Sequence, residues 1–458
     1  AGNLISGFPF EAGDKIQSSP AAGDVDLDGN NEIVFGSHDG NLYIIDTNGD
    51  QELAYSQSGF IIGAPALHDL DGDEDLEIVF TTQSGSSGKL YAIHHTGSNL
   101  DGFPVDLGEI MVVGAAVGDL ESDGSIDIVV TTYEDHIYAI NTDGTIKDGF
   151  PFVASHRFKS PATLVDLDGD NDLEIVAGND DGNLYILHHD GTLMTTFDVG
   201  DDIRGGISVA DINDDGDVEL LFVGYDDNLH VWNPLTETEL DGWPYDLGYN
   251  ALSGPVTADL DNDGDLEIVT AMKSGKIFIF HHDGSLFKNF PYTVPGNIES
   301  SPAIGNLDND DNYEIVFGTT QGLHVIDIKS DKGSRHSWKT YRGNAKRTGN
   351  YSLTLTSIEP NDLQLPKKFQ VSQNFPNPFN PSTHVEIQLP ESGKLNVSIY
   401  DLTGRLINTL VNDNLEMGSY IVEWHGNDQT NRLVSTGVYI MKVNSGDYSK
   451  SLKLAFIK

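Results

Sequence analysis

The sequence contains no cysteine, which excludes disulfide bonds, thiolate metal sites and cysteine nucleophiles. It also has no apolar run near the roughly 18 to 20 residues that a membrane-spanning helix needs, so we expect no membrane span. Tryptophan is scarce, with four residues in 458, and this weakens a lectin hypothesis that relies on aromatic stacking against sugars. The sequence begins with Ala1 and shows no signal peptide, which predicts a processed product or a piece of a longer precursor.

Basic residues are few, and the formal net charge is -47. Residues 1–328 hold nine Lys and Arg against 61 Asp and Glu, whereas the remainder holds sixteen against eleven. Such an acidic body repels a phosphate backbone, so nucleic-acid binding is excluded as a function, and an anionic membrane surface is disfavoured for the same reason.

One acidic pattern of nine positions recurs seven times, and each copy leads into a hydrophobic strand. We number the copies as loops one to seven: residues 24–32, 69–77, 119–127, 166–174, 211–219, 259–267 and 306–314. Every copy has an oxygen-bearing side chain at positions one, three, five and nine. Calcium takes six to eight oxygen ligands, and a tight loop directs alternate side chains toward one centre. A single Asp-Gly loop is often a plain turn, but seven copies in one phase predict up to seven calcium ions.

Position seven is added to the candidate ligands because its backbone carbonyl would complete the site. The predicted metal ligands are Asp24, Asp26, Asp28, Asn30, Glu32, Asp69, Asp71, Asp73, Asp75, Glu77, Asp119, Glu121, Asp123, Ser125, Asp127, Asp166, Asp168, Asp170, Asp172, Glu174, Asp211, Asn213, Asp215, Asp217, Glu219, Asp259, Asp261, Asp263, Asp265, Glu267, Asn306, Asp308, Asp310, Asn312 and Glu314. Two carboxylates about 4 Å apart repel by roughly 1 kcal/mol in water and roughly 4 kcal/mol at an effective dielectric of 20. Calcium binding is therefore expected to be linked to folding.

Position six of each loop favours a backbone with positive φ, for which Gly is best suited. Loop two has Glu74 at this position, and it is predicted to deviate most in geometry.

The loops recur every 45 to 50 residues, and each unit carries four strand-sized pieces. This period predicts an all-β chain whose residues 1–350 form a seven-bladed β-propeller. Residues 351–367 read as a linker, and residues 368–458 as a small immunoglobulin-like β-sandwich, with strand patterns at 385–389, 395–400, 420–424, 438–443 and 451–457.

Two expectations concern the ends of the propeller. A Gly-Phe-Pro element finishes most units and already occurs at residues 7–9, so the two ends are predicted to meet in one blade. Residues 329–368 are rich in Lys and Arg. They read as a solvated tail over the acidic rim, with a partner-binding clasp as the alternative.

The loops resemble the FG-GAP repeats of integrin α-subunit propellers and their bacterial relatives, with the motif Asp-x-Asp/Asn-x-Asp-Gly-x-x-Asp. The resemblance covers about residues 1–350 and implies calcium ligands at positions one, three, five and nine. The chain departs from the motif by using Glu at position nine in six loops, and only Asp127 keeps Asp. Residues 338–349 are similar to a segment that closes such bacterial propellers.

The C-terminal domain resembles the type A sorting domain of type IX secretion cargo, which is related to the FlgD immunoglobulin-like fold. The resemblance rests on Asn-Phe-Pro-Asn-Pro-Phe-Asn-Pro-Ser-Thr at 374–383, Tyr-Asp-Leu-Thr-Gly-Arg at 400–405, Ser-Thr-Gly-Val-Tyr at 435–439 and Lys-Leu-Ala-Phe-Ile-Lys at 453–458. It implies engagement of a secretion machinery and a location outside a bacterium or on its outer-membrane surface.

Other candidate sites are weaker. Three His pairs, at residues 94–95, 188–189 and 281–282, fall in different repeats and read as polar residues at strand ends rather than one metal site. No Gly-x-Ser-x-Gly elbow or other nucleophile motif occurs.

The favoured hypothesis is thus a non-catalytic, secreted or surface-attached calcium-binding propeller that binds an extracellular protein or polymer. The alternatives are a self-assembling structural protomer of an extracellular layer or appendage, and an accessory region of a larger secreted hydrolase.

Overall fold

The computed structural model describes residues 7–249, 253–308, 310, 312–330, 332–333, 335, 337–351, 370–371, 379, 382–389, 393–401, 403–415, 418–429, 432–446 and 448–457. The chain divides into two compact units, Ala1–Ser357 and Ile358–Lys458. Every element whose bounds are described is a β-strand, as the repeat pattern predicts. Among the described residues, no helix is long and apolar enough to cross a membrane.

The first unit consists of seven antiparallel sheets that follow one another along the chain, one for each repeat. Sheet one contains β1 (Ala21–Gly23), β2 (Glu32–Gly36), β3 (Asn41–Ile45) and β4 (Gln51–Ser56); sheet two contains β5 (Ala66–His68), β6 (Glu77–Thr81), β7 (Lys89–Ile93) and β8 (Val105–Asp106); sheet three contains β9 (Ala116–Gly118), β10 (Asp127–Thr131), β11 (His136–Asn141) and β12 (Phe152–Val153). Sheet four contains β13 (Thr163–Val165), β14 (Glu174–Gly178), β15 (Asn183–Leu187) and β16 (Leu193–Asp198); sheet five contains β17 (Ser208–Ala210), β18 (Glu219–Val223), β19 (Asn228–Asn233), β20 (Thr238–Glu239) and β21 (Tyr245–Asp246). Sheet six contains β22 (Val256–Ala258), β23 (Glu267–Ala271), β24 (Lys276–Phe280) and β25 (Tyr292–Thr293); sheet seven contains β26 (Ala303–Gly305), β27 (Tyr313–Thr319) and β28 (Gly322–Ile328).

The core lies between consecutive sheets, because each sheet is apolar on both faces. The second strands of sheets two to six, such as Glu77–Thr81, are buried along their whole length. One hydrophobic cluster joins Leu90 of sheet two to Ile128 of sheet three, and another joins Ile277 of sheet six to Ile315 of sheet seven. The first strands also lie side by side, since β1 contacts β5, β5 contacts β9, β9 contacts β13 and β22 contacts β26. This is the arrangement of a β-propeller, with the first strand of each sheet innermost.

Residues 337–350, which we call the central segment, lie against these innermost strands. Six of the strands, all except β17, each donate a backbone N–H to a carbonyl of the segment, at 2.8 to 3.0 Å. The segment is buried despite its polarity, with Trp338, Arg342 and Asn344 at most 4% exposed. The predictions of a solvated tail or a partner-binding clasp are therefore wrong for these residues. A strand edge that faces inward has N–H groups without water to satisfy them, and the segment supplies the missing acceptors.

The N-terminal residues pack on sheet one. The ring of Phe10 contacts those of Phe35 and Tyr43, and Gly7 lies against the backbone of Asn48. No described residue before Ala21 pairs with β28, so within the described part of the chain the two ends do not join in one sheet. The prediction that the ends meet in one blade is not supported there.

The second unit consists of two sheets that share one core. One sheet contains β29 (Gln370–Val371), β30 (Thr383–Leu389) and β33 (Gly418–Trp424); the other contains β31 (Gly393–Asp401), β32 (Leu406–Leu415), β34 (Gly437–Ser445) and β35 (Tyr448–Phe456). Trp424 of the first sheet packs on Phe456 and Tyr439 of the second. All five strand patterns read from the sequence are strands, whereas β29 and β32 were not foreseen. The predicted linker at 351–367 lies almost entirely outside the described residues, and the immunoglobulin-like topology stays a prediction.

Candidate metal centres in the seven acidic loops

Each acidic loop connects the first and second strands of its sheet. Position one follows the inner strand, and position nine lies in the second strand, opposite the last residue of the first, as in the pairs Gly23 with Glu32 and Ala258 with Glu267. All predicted ligand sets therefore lie at the same end of the sheets, one set per sheet. The seven pairings are alike because every repeat has the same nine-residue spacing.

Two hydrogen bonds recur in all seven loops and fix their shape. The backbone N–H of position seven donates to the carboxylate of position five, at 2.8 to 3.2 Å. The carboxylate of position nine accepts the N–H of position two, at 2.6 to 3.4 Å. In loops one to six the carboxylate of position one also accepts backbone N–H groups from the middle of the loop, for example from Gly29 to Asp24 at 3.0 Å and from Asn262 to Asp259 at 2.6 Å.

Loop two does not deviate as predicted. Glu74 adopts a φ of 80°, close to the 76° of Asn171 in loop four, and both donate to the first Asp of their loops. Position four also has positive φ in loops one to six, including Leu27 and Asn262. The loop therefore requires a left-handed backbone conformation at positions four and six. Residues that do not favour this conformation, such as Leu27 and Glu74, adopt it as well.

The carboxylates of positions three and nine converge in several loops, together with a further loop acid or the neighbouring His. In loop one, ligand atoms of Asp24, Asp26 and Glu32 all lie within 4.8 Å of one another. In loop six, ligand atoms of positions three, five and nine (Asp261, Asp263 and Glu267) lie equally close to one another, and His281 joins them. Position seven contributes differently, because its side chains point to other partners: the amide of Asn30 donates to Asp28, and Asp265 lies 2.9 Å from His282.

Position nine is buried in all seven loops, although most of the other loop acids are partly or fully exposed. Burial, together with the nearby loop carboxylates, raises the pKa of Glu32, Glu77, Glu174 and Glu219 to about 7 and that of Glu267 to about 8, although the hydrogen bond from position two lowers it. The Oε1 atom of Glu314 is buried and has no hydrogen-bond partner among the residues that the structure describes. A bound divalent cation would compensate these charges, so the six loops that end in Glu fit a calcium ion.

The three His pairs lie beside the loops of sheets two, four and six, each on its own sheet. The first His of each pair faces position nine, at 3.0 Å for His94 and Glu77 and 3.1 Å for His281 and Glu267. The second faces position seven, as in the 3.0 Å contact of His95 with Asp75. In sheet five, Asn233 takes the place of the first His and donates to Glu219. The signal in the sequence is the constant spacing of 14 residues from position nine in sheets four, five and six.

Loop three has a different neighbour. The ammonium of Lys147 lies 3.0 Å from Glu121 and 3.0 and 3.1 Å from the two oxygens of Asp127. Burial lowers the pKa of Lys147, but these two carboxylates outweigh it and raise the pKa above its usual value. The group therefore carries a positive charge.

Basic residues 329–350 also approach the acidic loops. Arg335 donates to the carbonyl oxygens of Gly264 and Asp211, at 2.8 and 2.6 Å, and so joins loops six and five. Lys332 lies 3.4 Å from the carbonyl oxygen of Asp310 in loop seven.

A second polar cluster lies at the opposite end of the sheets, at the turns that follow the second strands. The carboxylate of Asp180, which is 3% exposed, is contacted by Arg157, by Lys159 at 3.0 Å and by Arg204 at 2.8 Å. Burial raises the pKa of Asp180, but the three cations outweigh it and lower the pKa. We call these three basic residues and Asp180 the cationic cluster.

Two tyrosines border the cationic cluster. The ring of Tyr133 lies 4.9 Å from the guanidinium of Arg157, and the ring of Tyr225 lies 4.6 Å from that of Arg204. Arg204 also pairs with Asp202. The cationic cluster and its two tyrosines therefore combine residues of sheets three, four and five. The sequence did not predict this cluster, because its members lie far apart in the chain.

Comparison with known families supports the two resemblances. The FG-GAP-like repeat family matches residues 211–270, which contain loops five and six. The secretion system C-terminal sorting domain family matches residues 373–458. The chain thus carries an FG-GAP-like repeat and a type IX sorting domain, and this domain directs it to secretion or to the outer-membrane surface. Through the domain it engages the secretion machinery.

Among solved structures, the chain is similar to BBS1N in complex with ARL6DN, with 15% identity, a TM-score of 0.48 and coverage of 71% of this chain and 94% of that one. It is also similar to BamB from Moraxella catarrhalis, with 14% identity, a TM-score of 0.45 and coverage of 69% and 97%. It is similar as well to the WD40 beta propeller domain of Doa1, with 15% identity, a TM-score of 0.44 and coverage of 69% of this chain and 94% of that one. No curated protein sequence matches the chain.

Proposed function

We propose that this chain is a non-catalytic, calcium-stabilised propeller that is exported and binds an extracellular ligand. The observation that carries the calcium part is the recurring buried carboxylate at position nine, which faces further carboxylates and few cations. A buried charge of this kind is costly unless it is paired or bound to a metal. When bound, the calcium ions would neutralise the loops and couple metal binding to folding.

Removal of calcium tests this part. Thermal unfolding with excess calcium and with a chelator should differ by many degrees, because a ligand at 100 times its Kd stabilises the folded state by about 2.7 kcal/mol per site. Elemental analysis of the dialysed protein should find several calcium ions per chain. An unchanged melting temperature together with less than one calcium per chain would refute the proposal.

The binding role is supported by the cationic cluster. Residues 1–328 contain only nine Lys and Arg, and three of them meet at this one place. With Asp180 and Asp202 counted, the cluster keeps one positive charge in excess, between two tyrosine rings. Guanidinium groups match the geometry of carboxylates. We therefore propose that the ligand is a carboxylate-bearing polysaccharide that contacts this end of the sheets.

Titration with an oligogalacturonate measures this binding directly. Arg204→Gln should weaken the affinity at least tenfold, since hydrogen bonds to charged groups contribute about 1.5 to 3 kcal/mol. Lys288→Gln removes an exposed positive charge from sheet six and should leave the affinity unchanged. Equal affinities of the wild type, Arg204→Gln and Lys288→Gln for the oligogalacturonate would exclude the cationic cluster as the binding site. Binding of an aspartate-rich peptide instead of the oligosaccharide would favour a protein partner.

Self-assembly into an extracellular layer is the second candidate, and the edge of sheet seven favours it. Leu323 and Val325 of β28 are more than half exposed. No described strand covers the outer edge of β28, and open edges are templates for pairing with another chain. Light scattering over a concentration series tests this, and a strict monomer would exclude it.

A further inference from the structure

The third sheet has a lysine where the corresponding sheets have apolar residues. The backbone N–H of Lys147 donates to Ala139 in β11, at 2.9 Å. Leu100, Leu240 and Phe287 make the same bond to the same position of the third strands in sheets two, five and six. The four residues are thus structural equivalents, and in the other three the side chain packs in the apolar core or against it.

From this position the lysine reaches into loop three. Its ammonium makes three contacts of 3.0 to 3.1 Å, to position three (Glu121) and to both oxygens of position nine (Asp127). Its side chain is only 11% exposed, so it is held in the loop rather than extended into solvent. An ammonium has three N–H donors and no acceptor, and all three are matched by these oxygens.

The loop itself differs at the two positions that the ammonium contacts. Loop three has Glu at position three, where the other loops have Asp or Asn, and Asp at position nine, where they have Glu. The shorter acid makes the longest of the seven bonds to position two, 3.4 Å from Leu120, because it turns toward the lysine. The longer acid at position three and the shorter acid at position nine therefore accommodate the lysine ammonium and do not indicate a different metal ion.

We propose that the Lys147 ammonium replaces calcium in loop three, so that this loop binds no ion. Calcium needs six to eight oxygens at about 2.3 to 2.6 Å, and here three oxygens of positions three and nine are already bound to a positive charge. Binding the ion would require the lysine to leave a buried position and three charge-assisted hydrogen bonds. The chain therefore holds at most six calcium ions in its loops, and sheet three is stabilised without metal.

This inference rests on the proposed calcium binding of the other loops. A count of the bound calcium ions tests the inference about loop three separately from that proposal. Lys147→Leu introduces the residue found in sheets two and five, and it should bind one calcium more than the wild type in native mass spectrometry. Lys276→Leu removes an exposed charge from sheet six and should leave the count unchanged. The gain of one ion supports the inference whatever the wild-type count, and equal counts for wild type and Lys147→Leu overturn it. A wild type without any ion refutes the calcium proposal alone when Lys147→Leu gains an ion, and it overturns both when the variant gains none.

A second measurement applies if Lys147→Leu does not fold. A crystal structure of the wild-type protein grown with calcium should show the lysine nitrogen at the centre of loop three, with no anomalous calcium peak there. A calcium peak in loop three, with Lys147 displaced, would overturn the inference.

Discussion

The carboxylate of Glu267 accepts a hydrogen bond from the backbone N–H of Leu260, with 2.7 Å between Oε2 and the nitrogen. The same bond closes every loop, and it places the second carboxylate oxygen below the loop, away from water. In sheet six, this Oε1 atom lies 3.1 Å from His281. Each loop therefore combines a rigid backbone with a buried carboxylate.

Glu267→Gln should have opposite effects with and without calcium. Gln keeps an acceptor for the N–H of Leu260 but carries no charge, so the calcium-free protein should be at least as stable as the wild type. With calcium, the variant should lose one ion and about 1 to 3 kcal/mol of stability, through the weakened ion binding. Thermal unfolding in both conditions measures this. The exposed Glu299→Gln is the control, and destabilisation of Glu267→Gln in chelator would contradict a strained carboxylate.

The pH dependence of stability should change sign with calcium. Five of the position-nine acids, Glu32, Glu77, Glu174, Glu219 and Glu267, have folded-state pKa values of about 7 to 8 and unfolded values near 4.5. An acid with a raised folded pKa stabilises the fold while protonated, so this contribution is complete below about pH 4.5 and is lost as pH rises through 7 to 8. The calcium-free protein should therefore lose stability from pH 5 to 8, at up to about 1.4 kcal/mol per pH unit and acid.

Calcium should reverse this trend, because only the deprotonated acids bind the ion. Denaturant unfolding at pH 5, 6, 7 and 8, with and without chelator, provides the comparison. A calcium-free protein whose stability rises steadily with pH would show that these acids are not strained.

Much of this architecture follows from the sequence, because the same spacing of acids and strands recurs in all seven repeats. The spacing of the loops places each of them between the first two strands of a sheet, and the alternation of acids directs their side chains to one centre. The Asp-Gly pairs account for position six in loops one, three, five and six. Position four was missed, because Leu27 and Ser122 carry no signal of a left-handed backbone and adopt it only under the hydrogen bonds of the loop.

Long-range partners could not be predicted from local pattern. Residues 337–350 are polar and basic, which is typical of a solvated surface, yet they lie against the innermost strands. They are buried because the backbone N–H groups of six inner strands need hydrogen-bond acceptors. This requirement appears only when the sheets are assembled. The same holds for Lys147, which reads as an exposed turn residue until its strand register is known.

His230 should contribute stability that disappears at alkaline pH. Its ring lies between Glu239, at 2.6 Å, and Asp226, at 3.1 Å. Burial lowers the pKa of His230, but the two carboxylates outweigh it and raise the pKa to about 9. The contribution is complete below pH 6.5 and is lost as pH rises through about 9, with a magnitude on the order of 2 to 3 kcal/mol.

Comparison of His230→Gln with the wild type isolates this contribution. The difference in unfolding free energy should be large at pH 6 and small at pH 10, both with calcium present. NMR titration of the ring protons provides an independent value, and a pKa near 6.5 would contradict the ion pairs.

Arg342→Met should destabilise the propeller strongly, although the side chain has no carboxylate partner among its described contacts. The buried guanidinium donates to the carbonyl oxygens of Ala115, Ala162 and Arg347, and so ties the central segment to sheets three and four. Met has a similar length but no donor, and each carbonyl left unpaired costs about 1 to 3 kcal/mol.

We expect Arg342→Met to lower the unfolding free energy by about 3 to 5 kcal/mol, the range for breaking a buried charged network. Lys276→Met, at an exposed position of sheet six, is the matched control and should change it by less than about 0.5 kcal/mol. Chemical denaturation with calcium present measures both. If Arg342→Met were as stable as the control, the central segment would be held by Trp338 and its backbone bonds alone, and the guanidinium would have no part in joining the sheets.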